Sequence, residues 1–306
     1  MSVLVFPGQG SQYINMAMDF NENFSISKDI FLEIEESCKL NIRQIITENQ
    51  QDKLNITNYT QIAIFSASMV IYKTLIDQIG EEKILPKIVL GHSLGEYSAL
   101  VAANVLSLSD ASKLIKIRGE LMHSAIKPNI SGMAAIIGKE ATQIEEIIQL
   151  NDLDLVIAND NSPMQVVVSG LNENINSAEH IFKSQGVKRF IKLNVSAAFH
   201  SNYMLEAQES LNNELDKITL SQSNISIISN YNALINNSLD TILTSLKNQM
   251  SNKVRWTESI KKLEETNLKE IIEIGPSKVL SGLISRITNK FDIKSVDKII
   301  DLEKFK

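Results

Sequence analysis

The sequence predicts an α/β fold with a parallel sheet, into which a smaller ferredoxin-like lobe is inserted. Short apolar runs typical of buried strands alternate with long segments of helical periodicity over most of the chain. Between residues 131 and 195 the order changes to strand, helix, strand, strand, helix, strand, which is the order of a ferredoxin-like unit. We therefore expect a large lobe of residues 1–126 and 196–306 and an inserted lobe of residues 127–195.

The hydrophobic pattern places the individual elements. In the large lobe it predicts strands over 2–6, 88–90, 225–230 and 270–274, and helices over 28–48, 60–80, 96–103, 109–125, 239–250 and 280–290. In the insert it predicts strands over 132–138, 153–158, 165–169 and 188–195, and helices over 141–150 and 173–185. Ser109 is expected to cap its helix, residues 159–163 to form the turn between the two middle strands, and the tail from Phe291 to pack loosely.

The composition excludes several classes of protein. Of 306 residues, 43% are hydrophobic and 22% are charged, as in ordinary soluble enzymes. The net charge of -6, with no basic stripe, argues against a nucleic-acid partner. The only cysteine, Cys38, is expected to lie inert on a core face, and it excludes an internal disulfide. No apolar run approaches the length of a membrane span and no signal peptide is evident, so we expect a cytoplasmic protein.

The segment Gly91-His92-Ser93-Leu94-Gly95 lies between a predicted strand and a predicted helix. This context is typical of a nucleophile elbow, in which glycines allow a sharp turn that exposes the serine. The Leu94 amide would then point at an oxyanion on the substrate. The alternative is a chance pentapeptide in a glycine-containing turn. Gln9, between two glycines after the first strand, fits either a ligand contact or an ordinary loop.

A serine nucleophile needs a base, and His200 is the best placed of the four histidines because it lies in a loop after the insert. His92 is expected to point away from the cleft, and His123 and His180 fall in predicted helices. The residues alone leave His200 open between a base and a structural role. They likewise leave Arg118 open between a surface residue and a substrate contact.

Two motifs carry a resemblance to a known family. Phe6-Pro7-Gly8-Gln9-Gly10-Ser11-Gln12, together with Gly91-His92-Ser93-Leu94-Gly95-Glu96-Tyr97, resembles the malonyl-CoA:acyl-carrier-protein acyltransferase family. The match spans roughly residues 3–288 and continues through 118–122, 132–135, 198–201 and 273–276. Within the family the chain is most similar to free-standing acyltransferases that serve polyketide synthases in trans, through the stretches 58–61, 194–201 and 249–257.

The resemblance implies a hydrolase-like large lobe with the ferredoxin-like lobe inserted. It implies an [acyl-carrier-protein] S-malonyltransferase that works through a malonyl-serine intermediate, with malonyl-CoA and an acyl carrier protein as partners. It implies no cofactor and no metal, and we expect a monomer. A fatty-acid-synthesis transferase, an acyl hydrolase of the same fold and a non-catalytic docking subunit are the alternatives.

The resemblance also implies a role for each site residue. Ser93 would be the nucleophile and His200 its base, with Gln9 and the Leu94 amide as the oxyanion hole. Arg118 would pair with the malonyl carboxylate, and Gln61 and Met122 would line the substrate site. Phe199 would determine which extender unit is accepted and favour malonyl over methylmalonyl. A main-chain carbonyl near Gln249 would orient His200. Lys253 stands where many members carry proline, which could alter the turn after Gln249.

Overall fold

The computed structural model describes all residues, 1–306, and contains two sheets. Its strands are β1 Ser2–Phe6, β2 Pro86–Gly91, β3 Ser131–Ile137, β4 Leu155–Ser162, β5 Gln165–Leu171, β6 Arg189–Lys192, β7 Ser226–Ile228, β8 Ile235–Asn236, β9 Glu270–Ile274 and β10 Asp292–Val296. Its helices are α1 Met18–Asn23, α2 Ser25–Cys38, α3 Ile42–Glu48, α4 Thr57–Ile79, α5 Glu81–Ile84, α6 Gly95–Ala102, α7 Leu108–Ser124, α8 Ala141–Leu150, α9 Asn172–Ser184, α10 Leu205–Leu215, α11 Leu239–Gln249, α12 Trp256–Leu263 and α13 Val279–Ile287. Three 3₁₀ segments cover Gln50–Asn55, Asn202–Met204 and Ile299–Phe305.

The large sheet has the strand order β10-β9-β1-β2-β7-β8 and is parallel except at β8. Its central strand β1 is buried on both faces, as expected for a parallel sheet covered by helices, and this explains the apolar run at residues 3–6. Phe6 at the end of β1 pairs with Gly91 at the end of β2. Because parallel strands end at the same edge, the loops that follow β1 and β2 emerge side by side.

The small sheet has the order β4-β5-β3-β6 and is antiparallel. Helices α8 and α9 pack on one face around Ile136, Val168 and Phe182, which form a separate hydrophobic core. On the other face Met133, Ala135 and Val167 join the core of the large lobe. The predicted α/β fold with a second, antiparallel lobe is therefore confirmed. The buried residues of the small-lobe core run from Ala134 to Val187, and the boundaries near residues 127 and 195 stay a prediction.

Helix α4 is the one helix whose length and composition would suffice to cross a membrane. However, 78% of its apolar window is buried inside the protein, where α2 and α7 pack against it. The helix is therefore a core element of this fold.

Three element predictions in the large lobe were wrong. The segment 28–48 forms two helices, since Lys39 adopts a left-handed conformation with φ of 53° and ends the first. Ser107 rather than Ser109 caps α7, because its hydroxyl accepts a hydrogen bond from the Asp110 amide. The tail does not pack loosely: β10 adds an edge strand beside β9, and Leu302 in the following 3₁₀ segment is buried.

The predicted turn at residues 159–163 was also wrong, because Asn159 to Ser162 continue β4. Their polar side chains favour turns locally, but a neighbouring segment from the large lobe pairs with this part of the strand. Val254 donates to the Ala158 carbonyl at 2.9 Å, and the Asp160 amide donates to the Val254 carbonyl at 3.0 Å. The end of β4 therefore joins the two lobes.

Candidate active site

The turn from β2 to α6 holds Ser93 in a left-handed conformation with φ of 52°. A Cβ atom on Gly91 would lie 2.0 Å from the carbonyl carbon and oxygen of Gly95, so the turn admits only glycine there. The Asn230 side chain fixes the turn, because its Oδ1 accepts from the Ser93 amide at 2.7 Å and its Nδ2 donates to the Gly91 carbonyl at 2.6 Å. Sequence reasoning missed Asn230, whose one signal was its place at the end of a predicted strand.

Replacing Gly91 by alanine is expected to destabilise the protein by about 3 kcal/mol or more, since the new methyl group meets main-chain atoms that cannot move aside. Gly282→Ala in α13 is the matched control, because a Cβ there meets nothing within 4 Å. The control is expected to stabilise the helix by about 0.5–1 kcal/mol. Urea unfolding of the two variants measures both effects. Equal stability of the two variants would show that the turn is not as tight as described.

The structure brings the predicted nucleophile and base together. Ser93 Oγ lies 2.9 Å from His200 Nε2, although the two residues are 107 positions apart in the chain. On the other side of the ring, Nδ1 lies 3.0 Å from the Gln249 carbonyl and 3.1 Å from the Asn252 carbonyl. Because carbonyls only accept hydrogen bonds, Nδ1 carries the proton and Nε2 is free to accept the Ser93 hydroxyl proton.

His200 is neutral in this environment. Its pKa is lowered to about 3, mainly by burial and next by the nearby positive charge of Arg118. The two carbonyls act in the opposite direction because they favour a protonated ring. A neutral imidazole is the form that a general base requires.

Arg118 is buried and lies beside the same serine. Its Nη2 donates to Ser93 Oγ and to Gln249 Oε1, both at 3.0 Å, and its Nη1 donates to Gln61 Oε1 at 2.6 Å. The guanidinium carbon also lies 5.7 Å from the centre of the Tyr97 ring. Burial lowers the pKa of Arg118, while the nearby Tyr97 and Glu96 act in the opposite direction. Its hydrogen-bond acceptors are amide and hydroxyl oxygens, and none is a carboxylate. A buried guanidinium of this kind is suited to bind an anionic group of a ligand.

These groups border a cavity of about 100 Å³ between the two lobes. Its walls are Gln9, Gln61, His92, Ser93, Leu94, Arg118, Met122, Met133, Asn159, Leu193, Val195, Phe199 and His200. The main-chain amides of Gln9 and Leu94 donate to no acceptor within the protein, so both are available to an oxyanion. The volume suits an acyl group of a few atoms, since pockets for drug-sized ligands hold about 300–1,000 Å³.

The remaining predicted residues lie around this cavity. Gln61 Nε2 donates to Met122 Sδ at 3.2 Å. This contact orients the Gln61 side-chain amide, whose oxygen accepts the hydrogen bond from Arg118. Phe199 is buried in the wall, and its carbonyl accepts from Ser169 of the small lobe at 2.6 Å. Gln249 lies behind Arg118 and His200 and does not border the cavity.

One wall residue differs from the sequence expectation. Asn159 was assigned to a turn and instead forms part of the wall from β4. Its place depends on the contact between the lobes, for which the local sequence contains no signal. His92 also borders the cavity, but its ring contacts Asn161 and Trp256, which do not line it: Nε2 lies 2.7 Å from Asn161 Oδ1, and the centre of the Trp256 ring is 5.6 Å away.

A serine at a strand-to-helix turn, a neutral histidine and two free amides define a serine acyl-transfer site on an α/β fold. Comparison with known proteins agrees, since the family model "Acyl transferase domain" matches residues 3–301. The chain belongs to the acyl transferase family.

Characterised relatives cover nearly the whole chain. The malonyl CoA-acyl carrier protein transacylase of Bacillus subtilis is 36% identical over 289 residues, covering 94% of this chain and 90% of that protein. The polyketide biosynthesis malonyl CoA-acyl carrier protein transacylase BaeC of Bacillus velezensis is 37% identical over 292 residues, covering 95% and 98%. The crystal structure of the transacylase from Clostridium perfringens aligns with a TM-score of 0.93 at 34% identity, covering 99% and 96%.

Proposed function

We propose that this protein transfers a malonyl group from malonyl-CoA to the phosphopantetheine thiol of an acyl carrier protein. The observation that carries the proposal is Arg118, a buried guanidinium without a carboxylate partner whose Nη2 lies 3.0 Å from Ser93 Oγ. A short acyl group bound to Ser93 can place a terminal carboxylate on this guanidinium. The small cavity and the names of the relatives support the same substrate.

In the first half of the proposed reaction, Ser93 Oγ attacks the thioester carbonyl of malonyl-CoA while His200 Nε2 takes the hydroxyl proton. The negative charge that develops on the carbonyl oxygen is stabilised by the amides of Gln9 and Leu94. A single such donor is typically worth about 3–4 kcal/mol in the transition state. The carbon–sulfur bond then breaks, and the proton on His200 passes to the CoA sulfur. A malonyl ester remains on Ser93.

In the second half, the thiol of the carrier protein's phosphopantetheine arm gives its proton to His200 and attacks the ester carbonyl. The carbon–oxygen bond to Ser93 breaks and His200 returns the proton to Oγ. The scheme is ping-pong, because CoA leaves before the acceptor reacts. All of these steps use side chains and main-chain amides of this chain.

We propose a polyketide synthase as the source of the carrier protein, since the stretches 58–61, 194–201 and 249–257 resemble trans-acting acyltransferases and BaeC is 37% identical. A fatty-acid carrier protein is the second candidate, since the B. subtilis transacylase, whose name specifies no polyketide, is 36% identical. We expect the reaction to take place in the cytoplasm. Transfer rates to carrier proteins of both kinds, at equal concentration, test the choice. A higher kcat/KM for the fatty-acid carrier would overturn the polyketide assignment.

An acyl hydrolase would release free malonate from the Ser93 ester. We expect little release, because the cavity lies between the two lobes and Arg118 holds the malonyl carboxylate. Incubation with malonyl-CoA, with and without a carrier protein, separates the two activities. Rapid malonate release without transfer would favour the hydrolase.

The lowered pKa of His200 predicts an unusual pH profile. Since its pKa is about 3, His200 stays neutral, and kcat/KM for malonyl-CoA should stay nearly constant from about pH 8 to about pH 5.5. A histidine with its ordinary pKa of about 6.5 would lose about tenfold over that range. A kcat/KM that halves near pH 6.5 would contradict the assigned environment of His200.

The same lowered pKa affects stability. Below about pH 6.5 the unfolded chain binds a proton at His200 and the folded chain does not, so the free energy of unfolding should decrease as the pH falls through that value.

A further inference from the structure

Glu96 is a buried carboxylate that the proposed reaction steps do not use. It lies in the first turn of α6, three residues after Ser93, and its side chain is fully buried. Its Oε2 atom accepts two hydrogen bonds, from the Asn230 amide at 3.0 Å and from Gln249 Nε2 at 2.8 Å. A buried carboxylate is costly to retain, so these two contacts call for an explanation.

Through Gln249, Glu96 is linked to Ser93, Arg118 and His200. The Gln249 Nε2 atom also donates to the Ser93 carbonyl at 2.8 Å, and its Oε1 accepts from Arg118 at 3.0 Å. The Gln249 main-chain carbonyl accepts from His200. The amide nitrogen therefore faces two acceptors and the amide oxygen faces a cation, so only one orientation of this amide satisfies all of its neighbours.

Through Asn230, Glu96 is linked to the turn that carries the nucleophile. The Oε2 atom holds the Asn230 main chain, and the Asn230 side chain binds the main chain of Ser93 and of Gly91. One carboxylate oxygen therefore holds both Gln249, which accepts from Arg118, and Asn230, which binds the Ser93 turn.

We propose that Glu96 is a positioning residue for malonyl transfer: its Oε2 atom holds Gln249 and Asn230, and these two hold Arg118 and the Ser93 turn. The inference rests on the proposed function and adds a group that touches neither the substrate nor Ser93 Oγ. The role requires an oxygen that accepts two hydrogen bonds. A glutamine at position 96 supplies such an oxygen, whereas a leucine of similar size does not.

The test compares Glu96→Gln with Glu96→Leu in the full-length protein, with Ser98→Ala as the control. Ser98 is buried on the same helix, and its hydroxyl has no hydrogen-bond partner. Glu96→Gln is expected to keep kcat/KM for malonyl-CoA within about threefold of the unmodified protein, and Ser98→Ala to leave it unchanged. Glu96→Leu is expected to lower it by about 10- to 100-fold and to reduce the preference for malonyl-CoA over acetyl-CoA, because Arg118 is no longer held.

Three outcomes would overturn the role of Glu96. The first is a Glu96→Leu variant with unchanged kcat/KM and an unchanged preference for malonyl-CoA over acetyl-CoA. The second is an equal loss of kcat/KM for both thioesters that matches the fraction of Glu96→Leu that is unfolded. The third is a Glu96→Gln variant that loses as much activity as Glu96→Leu. Absence of transfer by the unmodified protein would instead overturn the proposed function. In that case a crystal structure of Glu96→Leu decides: displaced Gln249 and Arg118 side chains support the positioning role, and unmoved ones overturn it.

Discussion

Ser93→Ala is expected to abolish formation of a malonyl-enzyme and to reduce malonyl transfer by about 10⁴-fold or more. The reason is that Ser93 Oγ is the atom at which His200 Nε2 and Arg118 Nη2 converge, at 2.9 Å and 3.0 Å. Without this oxygen no ester forms. The Gln9 and Leu94 amides can then stabilise only the slower reaction in which the acceptor thiol attacks malonyl-CoA directly. The measurement is transfer of isotope-labelled malonyl from malonyl-CoA to a holo carrier protein.

The alanine variant must be shown to fold, because position 93 has a φ of 52°, which is unfavourable for alanine as it is for serine. The thermal midpoint of Ser93→Ala should therefore stay close to that of the unmodified protein. Ser98→Ala, in the adjacent helix, controls for loss of a buried hydroxyl. A folded Ser93→Ala variant that still transfers malonyl at an appreciable rate would refute the nucleophile assignment.

Arg118→Ala is expected to reverse the selectivity of the enzyme. Removing one partner of a buried, hydrogen-bonded charge pair costs about 2–5 kcal/mol, which is a loss of roughly 30- to several-thousand-fold in kcat/KM for malonyl-CoA. Acetyl-CoA has no carboxylate to pair with the guanidinium, so its kcat/KM should stay the same or increase. Competition between the two thioesters in one reaction measures the ratio directly.

Arg118→Lys separates charge from geometry. A lysine keeps the positive charge but cannot donate in parallel to a carboxylate, to Gln61 and to Gln249 as the guanidinium geometry allows. We expect an intermediate loss for malonyl-CoA and a preserved discrimination against acetyl-CoA. If Arg118→Ala keeps the malonyl preference of the unmodified protein, the carboxylate is bound elsewhere.

The sequence predicts the features of this site that are encoded locally. The turn at Ser93 could be predicted because a strand, two glycines and a helix are adjacent in the chain and each is required by local geometry. The order of elements in residues 131–195 could be predicted for the same reason. The pairing of Ser93 with His200 could be proposed only from chemistry and from the family resemblance, since no local pattern relates positions 107 apart.

The network behind the site could not be predicted. Glu96, Asn230 and Gln249 meet through hydrogen bonds between residues that are more than 130 positions apart. The error at Asn159 has the same physical origin, because pairing with the segment around Val254 overrides the local preference of asparagine for turns. Residues at the contact between two lobes are therefore the ones that local sequence patterns place least well.

The most direct test is mass spectrometry of the intact protein after incubation with malonyl-CoA alone, followed by peptide mapping and then addition of a holo carrier protein. We predict that one malonyl group appears on the protein, that it maps to Ser93, and that it moves to the phosphopantetheine arm when the carrier is added. No covalent malonyl group on Ser93, or one that the carrier thiol cannot remove, would contradict the proposed mechanism.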